Sequence, residues 1–156
     1  MHGGLSWLLI AALAALLGAA AVLDWRSRTI PNELNAAIAL LAIPFWYATG
    51  LAFWPDAALQ TAVAGGVFLV FALAFHFGLM GGGDVKMLAA LALWLPLGSL
   101  VQLIVIMSLA GGVLTLAMLI PHRLAKAAGQ PEIPYGIAIS FAGLWLISER
   151  ILNQFV

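Results

Sequence analysis

The sequence contains no cysteine, and this absence excludes disulfide bonds, thiol catalysis and thiolate metal sites together. Charged residues are also scarce, at 8% of the chain, whereas an ordinary soluble domain has about 25%. Hydrophobic residues make up 65%, and the mean hydropathy is +1.13. The formal net charge is zero, so charge gives no argument for a nucleic-acid partner. These values predict an integral membrane protein, and the lipid bilayer is its first expected partner.

Histidine offers no metal site at the level of the sequence. The three histidines, His2, His76 and His122, are scattered along the chain, without a paired carboxylate at the spacing of metal ligands. We therefore expect neither a bound metal nor another cofactor.

The apolar runs predict an all-α membrane protein with one domain, residues 1–156. They are continuous rather than alternating, which argues against membrane-spanning strands. Breaks between them predict six transmembrane helices, at about residues 5–23, 34–53, 58–80, 85–96, 99–120 and 134–152. The first is interpreted as a retained span, because no Lys or Arg precedes it as in a signal peptide. A tight turn is predicted at Pro96–Leu97–Gly98, after the short fourth helix.

The basic residues predict the orientation in the membrane. With the N-terminus outside, the segments 24–33, 81–86 and 121–132 face the cytoplasm and hold all but one of the six Lys and Arg residues. The loops on the other side, WPD at 54–56 and PLGS at 96–99, carry no positive charge. We therefore predict a multi-pass protein of the inner (cytoplasmic) membrane.

Two acidic residues, Asp24 and Asp84, lie at this cytoplasmic boundary directly beside apolar sequence. Each has a structural explanation, Asp84 as N-cap of the fourth helix and Asp24 as a solvated partner of Arg26 or Arg28. Asp24 fits less well, because a carboxylate at a helix C-terminus faces the negative end of the helix dipole. Two close carboxyls cannot both ionise easily, so one of them holds a proton. The pair could then activate water and protonate a peptide carbonyl, which is acid–base hydrolysis of an amide.

The stretch MGGGDVKML, residues 80–88, adds three glycines before Asp84. Glycine permits positive φ angles and allows another backbone to approach closely, as a substrate strand must. Both properties suit a peptidase site, and we expect Gly81 and Gly83 to act as backbone hinges.

Three segments together resemble the type IV prepilin peptidase family. Its GxGDxKLxA signature fits GGGD at 81–84 and the VKMLAALALWLP that follows. Its segment with the first catalytic aspartate is similar to DWRSRTIPNEL at 24–34. Its Pro-Tyr-Gly segment, which opens the last helix, looks like IPYGIAISFAG at 133–143, with Ile137 where many members have a second proline.

The resemblance implies a membrane aspartyl endopeptidase with Asp24 and Asp84 as its catalytic pair. It implies a prepilin or preflagellin-like substrate, whose short basic leader ends in glycine and is cut on the cytoplasmic side before a hydrophobic helix. Larger members of the family carry a methyltransferase-associated region with four zinc-binding cysteines. Because this sequence has none, it looks like the short, peptidase-only kind that is associated with tight-adherence pili or archaeal flagellins.

Other residues are expected to support such a site. Lys86 either tunes the aspartate pair electrostatically or anchors the chain at the membrane boundary. Asn32 is expected to cap the second helix rather than to contact the substrate. Pro134, Tyr135 and Gly136 either line the site or simply mark the start of the sixth helix.

The basic segments suggest how a substrate is attracted. Arg26, Arg28 and Lys86 would draw acidic residues that follow the scissile bond towards the site. This expectation is motivated by the excess of positive charge on the predicted cytoplasmic side.

Two other functions stay open at this point. An ion-coupled transporter or channel subunit would need carboxylates near the middle of the bilayer, whereas Asp24 and Asp84 are predicted at one face of the membrane. A non-catalytic pilus-assembly membrane protein would keep the fold without the chemistry. Cleavage assays on Asp24→Asn and Asp84→Asn distinguish these functions from a peptidase.

Overall fold

The computed structural model describes residues 2–124 and 133–152 and contains six α-helices and no strand in this part of the chain. The helices are α1 (His2–Ser27), α2 (Asn32–Thr49), α3 (Ala58–His76), α4 (Gly82–Ala92), α5 (Leu97–Leu124) and α6 (Tyr135–Leu152). A short π-type turn, Phe53–Ala57, leads into α3. The all-helical prediction and the number of helices are therefore confirmed.

Three helical segments are long and apolar enough to cross a membrane: Gly4–Ser27, Phe53–His76 and Leu97–Pro121. By this criterion the chain is a membrane protein. The 11 residues of α4 give only about 16 Å of helix, roughly half of a hydrocarbon core of about 30 Å. Six crossings and an external N-terminus stay predictions. Residues 125–132 of the predicted basic loop lie outside the part of the chain that the structure describes.

The end of α1 differs from the sequence prediction. The helix continues to Ser27, so Asp24 lies in its last turn instead of after its end. The Asp24 carbonyl accepts a hydrogen bond from the N–H of Arg28 at 3.0 Å. The chain then leaves the helix at Arg28, whose φ of 54° is left-handed.

The predicted turn at Pro96–Leu97–Gly98 is wrong at two of its three positions. Leu97 and Gly98 already belong to α5, and the Leu100 N–H donates to the Pro96 carbonyl at 2.9 Å. Proline is well suited to the position just before a helix, because the first N–H groups of a helix have no intrahelical partner. The turn therefore comes before Pro96, directly after α4.

The shortest helix, α4, lies at the centre of the bundle. It packs against α2, α3 and α6, while α1 packs against α2 and α6, and α5 packs against α6. Most side chains of α4 are buried, namely Asp84, Val85, Met87, Leu88, Ala90, Leu91 and Ala92. A helix buried on nearly all sides is apolar around most of its circumference, which explains why its sequence looked like a membrane span.

Side chains from α2 and α3 bind the backbone at the C-terminal end of α4. The indole N–H of Trp46 donates to the Leu93 carbonyl at 2.8 Å. The Gln60 amide donates to the carbonyls of Ala92 and Leu95. The last carbonyls of a helix lack intrahelical partners, so these bonds satisfy them and fix α4 along its axis. The position of the N-terminus of α4, where Asp84 lies, is fixed with it.

Candidate active site

Asp24, in the last turn of α1, and Asp84, in the first turn of α4, line the same cavity of about 210 Å³. Both side chains are buried, with 5% and 8% of their surfaces exposed. The remaining lining residues are Arg28, Thr29, Ile30, Gly81, Gly82 and Gly83. The structure thus brings together the two aspartates that the sequence analysis singled out.

The Asp84 carboxyl is held against the backbone that precedes α4. Gly81 is the residue before the helix and Asp84 is its third residue, a spacing at which a carboxylate reaches back to an unpaired N–H. The N–H of Gly81 accordingly donates to Asp84. The interpretation of Asp84 as the N-cap is therefore wrong, because the helix starts three residues earlier than the sequence predicted.

Gly81 is required by this close approach. A Cβ atom at this position would lie 2.9 Å from Oδ2 of Asp84. Its φ is −72°, and among the described glycines only Gly50 and Gly78 have positive φ. Of the two reasons given for the glycines before Asp84, positive φ is therefore wrong, and the approach of a substrate backbone stays a prediction.

The environment of Asp84 disfavours its ionised form. Burial and the negative charge of Asp24 raise the pKa of Asp84 to about 7, against the opposing effect of the hydrogen bond from Gly81. Asp84 lies outside the three long apolar segments. Near neutral pH it is therefore divided between its protonated and ionised forms, as a pair of one acid and one base requires.

The N-terminus of α6 faces the Asp24 carboxyl. The peptide N–H groups of Gly136 and Ile137 point towards it. A Cβ atom on Gly136 would lie 2.8 Å from Oδ2 of Asp24 and 2.7 Å from Cδ1 of Ile30. Only glycine at position 136 therefore permits α6 to approach so closely. Oδ2 of Asp24 is buried and lacks a full hydrogen bond among the described residues.

Ile30 has a role at the site that no sequence pattern indicated. This side chain is 7% exposed and lies in the segment between α1 and α2. The Ile30 side chain contacts the start of α6 at Gly136 and the start of α4 at Gly83. A Cβ atom added to Gly83 would lie 3.2 Å from the Cβ of Ile30. Ile30 therefore sets the spacing between the elements that carry the two aspartates.

Arg28 also has a larger role than the sequence suggested. It lines the cavity, acts electrostatically on Asp24, and stacks its guanidinium over Trp25 at 5.4 Å from the ring centroid. Its Nη1 atom is buried and has no hydrogen-bond partner in the described part of the chain. Its left-handed backbone costs a non-glycine residue about 1 kcal/mol or more. Strain at such a position is commonly maintained for function.

Lys86 and Asn32 do not reach the cavity. The Lys86 ammonium donates to the Asn32 side-chain oxygen at 2.7 Å, and both residues line a separate groove. The predicted capping role of Asn32 is wrong, because the residue before α2 is Pro31 and no side chain caps this helix. Asn32 is itself the first helical residue, and its oxygen is bound by Lys86 instead.

Asn35 holds the glycine segment and was not identified from the sequence. Its side-chain amide donates to the Gly83 carbonyl at 3.1 Å, and only 5% of its surface is exposed. A buried asparagine one turn after the start of an apolar helix is the signal that could have revealed it.

The Pro-Tyr-Gly segment is divided between two roles. Pro134 is fully buried directly before α6, and Gly136 contacts Asp24. The Tyr135 ring packs instead on α5, where a Cβ atom at Gly111 would lie 3.1 Å from it. Of this segment, Gly136 is therefore the residue that contacts an aspartate.

The chemistry that the cavity offers is proton transfer. Its walls provide two carboxyls and one guanidinium. Backbone amides at the start of α6 point towards the Asp24 carboxyl. Within residues 2–124 and 133–152, no three His, Asp or Glu side chains lie close enough to hold a metal ion.

The chain is similar to a known protein family. The model of the type IV leader peptidase family matches residues 11–116, a range that includes both aspartates and all of α2, α3 and α4. No curated protein and no solved structure matches the chain.

Proposed function

The chain belongs to the type IV leader peptidase family, and we propose that it is an aspartic endopeptidase with Asp24 and Asp84 as its catalytic pair. The family supports a peptidase in general. The observation that carries the finer assignment is the single buried cavity that both carboxyls line, from two helices distant in sequence.

The mechanism follows from one proton shared by two carboxyls. The ionised carboxyl removes a proton from water, and the protonated carboxyl donates its proton to the oxygen of the scissile peptide carbonyl. The water oxygen forms a bond to the carbonyl carbon. When the tetrahedral intermediate collapses, the C–N bond breaks and the amine leaves with a proton from the pair. The products are a new carboxyl end on the leader and a new amino end on the mature protein.

Arg28 fits the role of a binding residue in this reaction. Arg28 lines the cavity, and its buried Nη1 atom has no hydrogen-bond partner among the residues that the structure describes. A carbonyl oxygen of the substrate, or the carboxylate of the cleaved leader, would satisfy this donor. Arg28 thereby helps to place the scissile bond between the two aspartates.

The substrate class follows from the family. We propose a prepilin-type precursor, in which a basic leader ending in glycine is followed by an apolar helix that lies in the membrane. Cleavage at the cytoplasmic face of the inner membrane agrees with the basic residues that follow Asp24 in the sequence, Arg26 and Arg28. The proposal covers hydrolysis alone.

Single substitutions test the pair. Asp24→Asn and Asp84→Asn remove one acid–base partner each while keeping the shape of the side chain. Each is expected to reduce cleavage of a prepilin-type precursor in membranes by at least about a hundredfold. Asp56→Asn is the matched control, because Asp56 is exposed on the Phe53–Ala57 turn, and it should cleave normally. Full processing by either cavity variant would exclude the catalytic pair.

A further inference from the structure

A second cavity lies beside the candidate active site and is not used by the mechanism above. It has a volume of about 560 Å³ and lies between α2, α3 and α4. Its lining residues run from Asn32 to Ala39 on α2, from Thr61 to Phe68 on α3, and from Lys86 on α4 to Leu93, the residue directly after this helix. Each stretch makes about two helical turns, or about 10 Å. This α2–α3–α4 groove therefore has the length and direction to accept two turns of another helix.

The walls of the groove suit close helix packing. Most of its lining side chains are small, among them Ala36, Ala39, Ala64 and Gly65. In membranes, small residues let the backbones of two helices approach closely, and packing rather than water exclusion drives their association.

The polar end of the groove gives an independent indication of a ligand. Asn35 lines the groove and is buried, and its Oδ1 atom has no partner among the described residues. The Lys86 ammonium lies at the same end. A buried amide oxygen without a partner costs free energy, which a donor placed in the groove would recover.

We propose that the α2–α3–α4 groove binds the apolar helix of the precursor, the segment that follows the scissile bond; this inference rests on the proposed function. The first N–H groups of a helix have no intrahelical partner, so they can donate to Oδ1 of Asn35. A carboxylate near the start of that helix would pair with Lys86 and be favoured by the helix dipole. A lipid chain would fill the apolar part but offers no N–H donor for Asn35.

Asn35 also connects the groove to the reaction site. Its Nδ2 group donates to the Gly83 carbonyl in the segment just before Asp84. If the first turn of the precursor helix binds Asn35, that helix begins next to the cavity that holds the aspartates. The scissile bond, which precedes the helix, must lie in this cavity.

Two adjacent glycines allow a matched test by cross-linking. Gly65 lines the groove and Gly66 does not, although both are exposed and a Cβ atom on either would meet nothing within 4 Å. Because the chain has no cysteine, Gly65→Cys and Gly66→Cys each introduce a single thiol. Both are made in an Asp84→Asn background and mixed in membranes with a prepilin-type precursor that has one cysteine in its apolar helix.

The groove predicts that Gly65→Cys forms a disulfide with the precursor at least about fivefold more efficiently than Gly66→Cys. Equal yields, or no adduct at either position, would overturn it. Disulfides between two copies of this chain at position 65 would also overturn it, since they would indicate self-association at this face.

A kinetic comparison gives a second readout in the active protein. Gly65→Leu fills the groove, whereas Gly66→Leu adds the same side chain outside it. Gly65→Leu is expected to raise the KM for the full-length precursor at least tenfold relative to Gly66→Leu, and to leave unchanged the cleavage of a short peptide that lacks the apolar helix. Equal KM values for the full-length precursor would contradict the groove. If the unmodified chain cleaves no precursor but the disulfide at position 65 still forms, the peptidase proposal fails while the groove stands.

Discussion

Replacing Gly136 by alanine tests whether the close approach of α6 positions Asp24. The added Cβ would lie 2.8 Å from Oδ2 and 3.0 Å from Cγ of Asp24, and 2.7 Å from Cδ1 of Ile30. Ordinary contacts begin at 3.4 Å, so Oδ2 would have to retreat by about 0.6 Å or more. Because a misplacement of about 1 Å can cost a hundredfold in rate, we expect cleavage to fall at least about tenfold.

The effect on stability is smaller, because two contributions oppose each other. Overpacking of this kind costs about 1–3 kcal/mol, whereas replacing a helical glycine by alanine gains up to about 1 kcal/mol. Gly98→Ala is the matched control, since Gly98 is also the second residue of its helix but a Cβ there meets nothing within 4 Å. Cleavage rates and thermal unfolding in detergent are measured for both variants. If Gly136→Ala cuts the precursor as fast as Gly98→Ala, the packing argument is refuted.

Three further substitutions have distinct expected outcomes. Asp84 has a folded-state pKa of about 7 instead of 3.8, so the folded protein binds its proton more tightly and loses stability as the pH rises through this window. Asp84→Asn should therefore be more stable at pH 8, by on the order of 4 kcal/mol at most, with no such gain at pH 3; parallel unfolding curves across this range would contradict the assignment. Arg28→Gly relieves a left-handed backbone but removes the stacking on Trp25 and the charge beside Asp24, so the unfolding free energy should change by less than about 1 kcal/mol while the KM for the precursor rises; an unchanged or lower KM would argue against a binding role. Gln60→Leu removes the donors to the carbonyls of Ala92 and Leu95 and should lower stability by about 1–3 kcal/mol; an unchanged melting temperature would show that these bonds do not anchor α4.

The helices could be predicted from the sequence because apolar runs and their breaks are local properties. The expectation that Asp24 and Asp84 lie close together followed from counting helices, which places the end of the first and the start of the fourth on one side. The ends of the helices were harder to predict from the sequence. The first residues of α2 and α5 differ from the prediction because a helix start depends on which backbone groups find partners in the folded chain.

The residues that support the pair were harder to predict, because their roles depend on contacts between distant parts of the chain. In the sequence Gly136 only indicates the start of a helix. In the structure its lack of a side chain leaves space for the Asp24 carboxyl. Asn35 and Ile30 looked like ordinary helix and linker residues. Their importance comes from contacts with the segment before Asp84, which no local pattern reveals.

The most direct test of the central claim is the pKa of Asp84, measured by NMR or infrared spectroscopy in lipid nanodiscs, with and without the charge of Asp24. The account predicts a pKa of about 7 in the unmodified chain and a lower value in Asp24→Asn, because the Asp24 carboxylate contributes to raising it. Asp56→Asn, which changes a distant exposed carboxyl, should leave it unchanged. A pKa of Asp84 that is the same in Asp24→Asn as in the unmodified chain would mean that the two carboxyls do not share one site, and would contradict the account.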